Sequence, residues 1–242
     1  MKGKRHISKA STALVLAAVL LFAAGTVLAA TDSPDILGND YNAEIDMADV
    51  DIKLLENGGD PVMFESEPAL GEVPEGKIQP GRVYNEKLQA RNTGKYDAVV
   101  RMIVKTYWRN AGMRRDPKMD LELIELTYGN KAYNDAVWTL NDEETTAESK
   151  TYYLKKILGA GETSEPLVDR LRLNNKVLEE KNVKTEQKGN KTVYTYEYKY
   201  NSYILCLEAD CQALQTHNAN EAIVSAWGVC NVKLSDGRIT VK

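Results

Sequence analysis

The stretch Ala98 to Trp108 constrains the fold most. Ala98, Val100, Met102, Val104, Thr106 and Trp108 recur at every second position, and Arg101 and Lys105 fall on the alternate positions with Val99, Ile103 and Tyr107. A period of two is that of a β-strand, because successive side chains leave a strand on opposite faces. One face is fully apolar and the other mixes charge with large apolar groups. That is the pattern of a sandwich strand with one face in the core and the other half covered.

Similar segments flank it. Val50, Ile52 and Leu54 alternate with Asp49, Asp51 and Lys53, and Asn57-Gly58-Gly59-Asp60-Pro61 ends that strand. Residues 65–81 form a loop rich in Pro, Gly and Glu. Val83 to Arg91 is a second strand, turned by Asn92-Thr93-Gly94. Leu121 to Tyr128 fits strand or helix, a short segment starts at Trp138, and Thr151 to Lys156 and Leu167 to Leu173 read as strands. Residues 175–188 are a charged insertion, a helix or a solvated arm. Tyr194, Tyr196, Tyr198 and Tyr200 share one face of a β segment, and cross-strand aromatic packing is the reading we favour over sugar stacking or an interface. After a break at Asn201-Ser202, Tyr203 to Ala213 resumes with Tyr203, Leu205, Leu207, Ala209, Cys211 and Ala213 inward. Asn218 and Glu221 have capping-box spacing before a short helix that Gly228 stops. Ser235-Asp236-Gly237 marks a final hairpin. Many short strands and few helices predict a mainly β protein, an antiparallel β-sandwich with short helices.

The N-terminus has the layout of an export signal. Lys2 to Lys9 is positive, Ala13 to Ala24 is continuously apolar, and small residues run to Ala29 and Ala30 before Thr31-Asp32. Cleavage after Ala29, with Ala30 the near alternative, removes residues 1–29 and leaves 30–42 as a flexible mature N-terminus and 43–242 as a single sandwich domain. An uncleaved segment is the one expected route to a membrane. No cysteine stands near the cleavage site, so a lipoprotein is not expected.

Charge excludes one class of partner. The chain carries −4, and the first 29 residues hold Lys2, Lys4, Arg5 and Lys9 without an acid, so their loss leaves −8. No nucleic-acid partner is expected from such a balance. The basic loop 109–118, with Arg109, Arg114, Arg115 and Lys118, reads as a solvated turn; the alternative is contact with an anionic cell-wall polymer.

Reactive chemistry is thin. The sequence has two histidines, and only His217 lies beyond the signal. A zinc peptidase needs about three ligands and a general base, commonly His-Glu-x-x-His, and His217-Asn218-Ala219-Asn220-Glu221 does not supply it. The expectation is no catalytic, metal or cofactor residues and no cofactor. Calcium ligation by Asp40, Glu44, Asp46, Asp49 and Asp51 lacks the loop spacing, and the outer face of a strand explains Asp49 and Asp51. Of the three cysteines, Cys206 and Cys211 on one straight strand lie about 17 Å apart, beyond the roughly 7 Å a disulfide allows. Cys211–Cys230 is the candidate bridge, with Cys206–Cys230 its competitor and three buried thiols the alternative.

Several short segments then carry a family likeness. The signal ends Ala23-Ala24-Gly25-Thr26-Val27, followed by Thr31-Asp32. Val50-Asp51-Ile52-Lys53-Leu54 stands as a first strand, and Pro80-Gly81-Arg82 leads to Asn92-Thr93-Gly94. Ala98-Val99-Val100-Arg101, Tyr152-Tyr153-Leu154-Lys155 before Gly161-Glu162-Thr163, Ala213-Leu214-Gln215 and Ala226-Trp227-Gly228 follow in order. In these the chain resembles the TasA/camelysin-like secreted proteins of Gram-positive bacteria, exported with a SipW-dependent type of signal. The family's Tyr-Phe before Thr-Asp is missing here. The resemblance implies a jelly-roll-like sandwich and a secreted or cell-surface location. It implies assembly of the protein with itself into extracellular fibres of a biofilm matrix, the N-terminal segment of one subunit entering the sheet of the next. The donor here would be Ala30 to Asn42, with Ile36 and Leu37 as its anchors. Two other roles stand beside it: a camelysin-like cell-surface metalloendopeptidase, and a module that binds cell-wall polymer without polymerising.

Overall fold

The structure is a computed structural model that describes residues 2–5 (backbone only), 50–60, 78–128 and 136–242. Along the chain run β1 (Lys2–Arg5), β2 (Ile52–Glu56), β3 (Val83–Asn92), β4 (Ala98–Arg109), β5 (Ile124–Thr127), β6 (Trp138–Asn141), β7 (Ser149–Leu154) and β8 (Val168–Leu173). They are followed by β9 (Lys181–Lys188), β10 (Lys191–Tyr198), β11 (Ile204–Gln215), the helix α1 (Ala219–Trp227), β12 (Val232–Ser235) and β13 (Arg238–Val241). The protein is mainly β, and two antiparallel four-stranded sheets make a sandwich. One has the order β2-β3-β8-β5, the other β11-β4-β7-β6, with β1 added parallel at its β11 edge. The nested long-range pairs β3 with β8 and β4 with β7 are those of a long hairpin rolled into two layers, as in a jelly roll.

The alternation of β4 determines where the core lies. Ala98, Val100, Met102 and Val104 turn inward with Leu207, Ala209, Cys211 and Ala213 of β11, and they meet Leu88, Ala90, Val168 and Leu54 of the other sheet. A second core continues at one end, where Trp108 packs on Tyr200 at 5.1 Å between ring centroids, among Tyr84, Leu171 and Leu205. Full burial of such side chains contributes about 1.5–3 kcal/mol each. Indole Nε1 of Trp108 donates to the Asp120 carbonyl at 2.8 Å, so this large group is buried without an orphaned donor.

The half-covered face of β4 also has a cause. Val99, Tyr153 and Leu214 point outward from the β11 sheet and are covered by Ile223 of α1, Val232 and Ile239. The C-terminal helix and hairpin therefore form a third layer. Asn220 ties them together: its side-chain amide donates to the Leu234 carbonyl (3.1 Å) and accepts from the Leu234 N–H (2.8 Å). Gly228 stops α1 as expected, at φ 73° with its N–H on the Val224 carbonyl. The capping box does not form. Asn218 sits in the left-handed region at φ 52° and makes no side-chain cap bond, because an N-cap side chain reaches the first turn from extended backbone. Asp236 and Gly237, both at positive φ, make the two-residue turn expected of the last hairpin.

Two regions resolve alternatives the sequence left open. Leu121 to Tyr128 is both things in turn, a 3-10 turn over Leu121–Leu123 and then β5. The charged insertion is a 3-10 turn over Asn175–Leu178 followed by β9, which pairs with β10 in a hairpin of its own. The tyrosine row belongs to that hairpin and is divided: Tyr194, Tyr196 and Tyr198 are exposed, whereas Tyr200 is buried beside Trp108. Of the four tyrosines in the row, Tyr200 alone packs on an aromatic ring of the sandwich.

Candidate strand-acceptor edge

An open sheet edge presents unpaired backbone N–H and C=O groups, which is where another strand can add. β11 is such an edge. Its inner side is paired with β4 along all twelve residues, Ile204 opposite Arg109 through Gln215 opposite Ala98. Among the described residues its outer side carries only β1, parallel, with Lys2 opposite Ile204 and Arg5 opposite Leu207. Beyond Leu207 no strand among the described residues pairs with that side. Lys2–Arg5, the first part of the expected signal's positive n-region, thus lies as an added strand on this sheet.

The side chains at this end stiffen the edge. Tyr107, Ile204 and Cys206 form a small buried cluster on the outer face. The Tyr107 hydroxyl donates to Glu208 and accepts from Arg109 at 2.8 Å. The Arg115 guanidinium lies 3.9 Å from the centre of the Tyr107 ring and 3.7 Å from the Glu208 carboxylate. Burial first, and then the bond to Glu208, raises the Tyr107 hydroxyl above its ordinary pKa. Burial pushes the Cys206 thiol up to about 11. Both groups are therefore neutral structural members here and not nucleophiles. Two members of the basic loop are accounted for by this cluster: Arg109 and Arg115 turn back onto Tyr107, Glu208 and Glu148, while Arg114 and Lys118 stay exposed. The loop is solvated as expected, residues 111–115 all being exposed, and Arg109 and Arg115 in addition reach a carboxylate on the neighbouring strand.

A second polar constellation binds the third layer to the sheet. Arg101 donates to Gln212 Oε1 from Nε and Nη2 (2.9 and 2.8 Å) and to Glu144 Oε1 from Nη1 (2.8 Å), and its guanidinium lies 4.5 Å from the Trp227 ring centre. Tyr153 and Asn141 donate to the other Glu144 oxygen, at 2.5 and 2.7 Å. Asn141 and Asn231 exchange amide hydrogen bonds. Sequence reading missed this group. Its one signal was an arginine inside an apolar strand; the partners are up to 111 residues away.

The residues singled out from sequence fall as follows. Ala29, Ala30, Ile36, Leu37, Asp40, Glu44, Asp46 and Asp49 lie outside the described residues. Asp51 accepts the Thr93 hydroxyl at 2.5 Å and its carbonyl takes the Thr93 and Gly94 N–H groups, so it closes a turn. His217 and Glu221 are exposed, one in the turn before α1 and one on it. Among the described residues no three His, Cys, Asp or Glu side chains gather as a metal site. The Cys211–Cys230 bridge is not formed, and all three thiols are free. Cys211 points into the sandwich core, whereas Cys230 is exposed beside the layer that covers the opposite face of the same sheet. Cys206 faces outward with Tyr107 and remains unpaired. No helix of the described residues is long and apolar enough to cross a membrane.

Compared with protein-family models, curated proteins and solved structures, the chain has no match in any of the three.

Proposed function

We propose that this chain is an exported structural protein that assembles with copies of itself outside the cell by strand addition at the β11 edge. The observation that carries the reading is the state of that edge. A twelve-residue strand is paired along one side, and among the described residues its other side is occupied only by Lys2–Arg5, within the segment whose removal the signal layout predicts. Cleavage after Ala29 would withdraw that strand and free Ala30 to Asn42 in the same event. The freed segment of one copy would then add to the bared edge of the next, held by main-chain hydrogen bonds and anchored by Ile36 and Leu37. Such a contact joins two different surfaces, so it does not close on itself and yields filaments. The resemblance to TasA/camelysin-like secreted proteins supports the same reading, as does the paucity of groups suited to catalysis.

The test compares residues 30–242 with residues 43–242. The longer form is expected to give filaments in electron micrographs and to sediment as polymer, and the shorter form to make none. Identical sedimentation of the two at high concentration would rule strand addition out.

A further inference from the structure

The two outward faces of the sandwich differ. That of the β11-β4-β7-β6 sheet lies under α1 and the last hairpin. That of the β2-β3-β8-β5 sheet is basic, and its cations are exposed. β3 alternates along its whole length: Tyr84, Glu86, Leu88 and Ala90 are buried, while Val83, Asn85, Lys87 and Arg91 are exposed. The register places the neighbouring strands' side chains on the same face. Lys53 of β2 stands opposite Arg91, Arg170 of β8 opposite Asn85, and Arg172 opposite Val83. All five cations are exposed. They follow the line of β3, which from residue 83 to 91 runs roughly 27 Å.

The positive charge of this row is not consumed within the chain. Asp169 stands 3.2 Å from Arg170, and Glu125 stands 2.6 Å from Arg172. Asp51, at one end of the face, accepts the Thr93 hydroxyl. Five cations against these three carboxylates leave +2. Lys53, Lys87 and Arg91 make no ion pair among the described residues. Lys53 and Arg91 are moreover like charges directly opposite each other on paired strands, an arrangement that costs stability. An anion seated between them removes that cost. At physiological ionic strength charges are screened over about 8 Å, less than the roughly 10 Å between packed sheets. Acidic groups on the far side of the molecule are therefore felt weakly here.

The sign of the face selects an anion, and the length of the row selects a polymer. Guanidinium forks match phosphate oxygens in their own plane. Among the described residues no aromatic ring stands on the outward positions of these strands, so a nucleobase or a sugar ring finds no platform to stack on. The sheet is twisted, and the row of cations twists with it. A flexible chain can follow that line, whereas a stiff glycan cannot.

We infer that the outward face of the β2-β3-β8-β5 sheet binds a flexible phosphodiester polymer of the cell surface, with Lys53, Lys87 and Arg91 supplying the free positive charge. The face belongs to the sheet that lacks the β11 edge, so binding does not depend on strand addition. Titrating the full chain, expressed for export, into fluorescent poly(glycerol phosphate) and reading anisotropy tests it. Affinity should fall with salt on a log–log slope of about −2, roughly 0.7 for each unpartnered cation. Lys53→Glu with Lys87→Glu should weaken binding about tenfold or more. Lys53→Glu alone sets opposite charges across the strand pair. Its melting temperature should rise while its affinity falls, which separates loss of binding from loss of fold. Arg114→Glu with Lys118→Glu, in the basic loop, should leave affinity unchanged, and so should Ile36→Asp with Leu37→Asp in the donor segment. The inference is overturned by no binding, by indifference to charge reversal at 53 and 87, or by equal losses in either control. It is overturned equally if a polyuronate, single-stranded DNA or vesicles of anionic phospholipid bind as tightly as the phosphodiester chain.

Discussion

Arg101 stands between Val100 and Met102 on a strand buried along most of its length, yet its guanidinium has a full set of partners. Its side chain is 10% exposed and that of Glu144 19%, so little solvent screens the pair. Removing one member of such a pair leaves the other charge underpaired in a poorly hydrated place. Arg101→Leu is therefore expected to lower stability by about 2–4 kcal/mol, read as a shift of the urea midpoint. Adding Glu144→Leu should recover part of the loss, because the stranded carboxylate is then gone. A single-variant loss below about 0.5 kcal/mol would mean that the network only decorates the fold. Arginine's flat, delocalised cation also lets it stack on Trp227 while bonding in its plane, so a lysine at 101 should restore stability only in part.

At the scale of elements, β4 and β11 carry the sandwich and the β9–β10 arm stands outside it. Both β11 and β10 show period-two patterning, but one is buried and the other exposed along its whole length. The hairpin's ends already meet, with Lys199 N and Glu180 O 2.9 Å apart. Replacing Lys181–Tyr198 with Gly-Gly should therefore change folding stability by no more than about 0.5 kcal/mol. Thermal melting monitored by circular dichroism measures this directly. A drop of several degrees would place the arm in the folding unit and not on its surface. Tyr200 must be retained in that variant, since its ring fills the second core against Trp108.

For the whole molecule, the buried hydroxyls and thiols predict a one-sided response to pH. Burial is the leading cause that raises Tyr107, Tyr152, Tyr153, Cys206 and Cys211 above their ordinary values, Cys206 to about 11. In the unfolded chain these groups lose protons near their ordinary values, 9.0 for cysteine and 10.0 for tyrosine. The native state then holds more protons than the unfolded state, so stability falls as pH rises through that range. It is fully present below about pH 9 and is lost progressively above it, until the native groups themselves ionise. Melting temperatures recorded from pH 8 to 11 should decline steadily, and Cys211→Ala should flatten the early part of the decline. A constant melting temperature across that range would contradict the burial of these groups.

The class of fold and the inward faces of β4 and β11 were legible in the residues alone. Those depend on alternation and turn chemistry, which are local and survive in a string of letters. Legible too were the stop at Gly228 and the turn at Asp236-Gly237, where backbone geometry selects the residue. Which strands have company on both sides was set by long-range packing. Period two looks the same in a buried strand, an edge and a free arm, so Tyr194 and Tyr200 could not be told apart, nor could the partners of Arg101. The separation of Cys211 from Cys230 is of the same kind, because two residues close along the chain come to lie on opposite faces of one sheet.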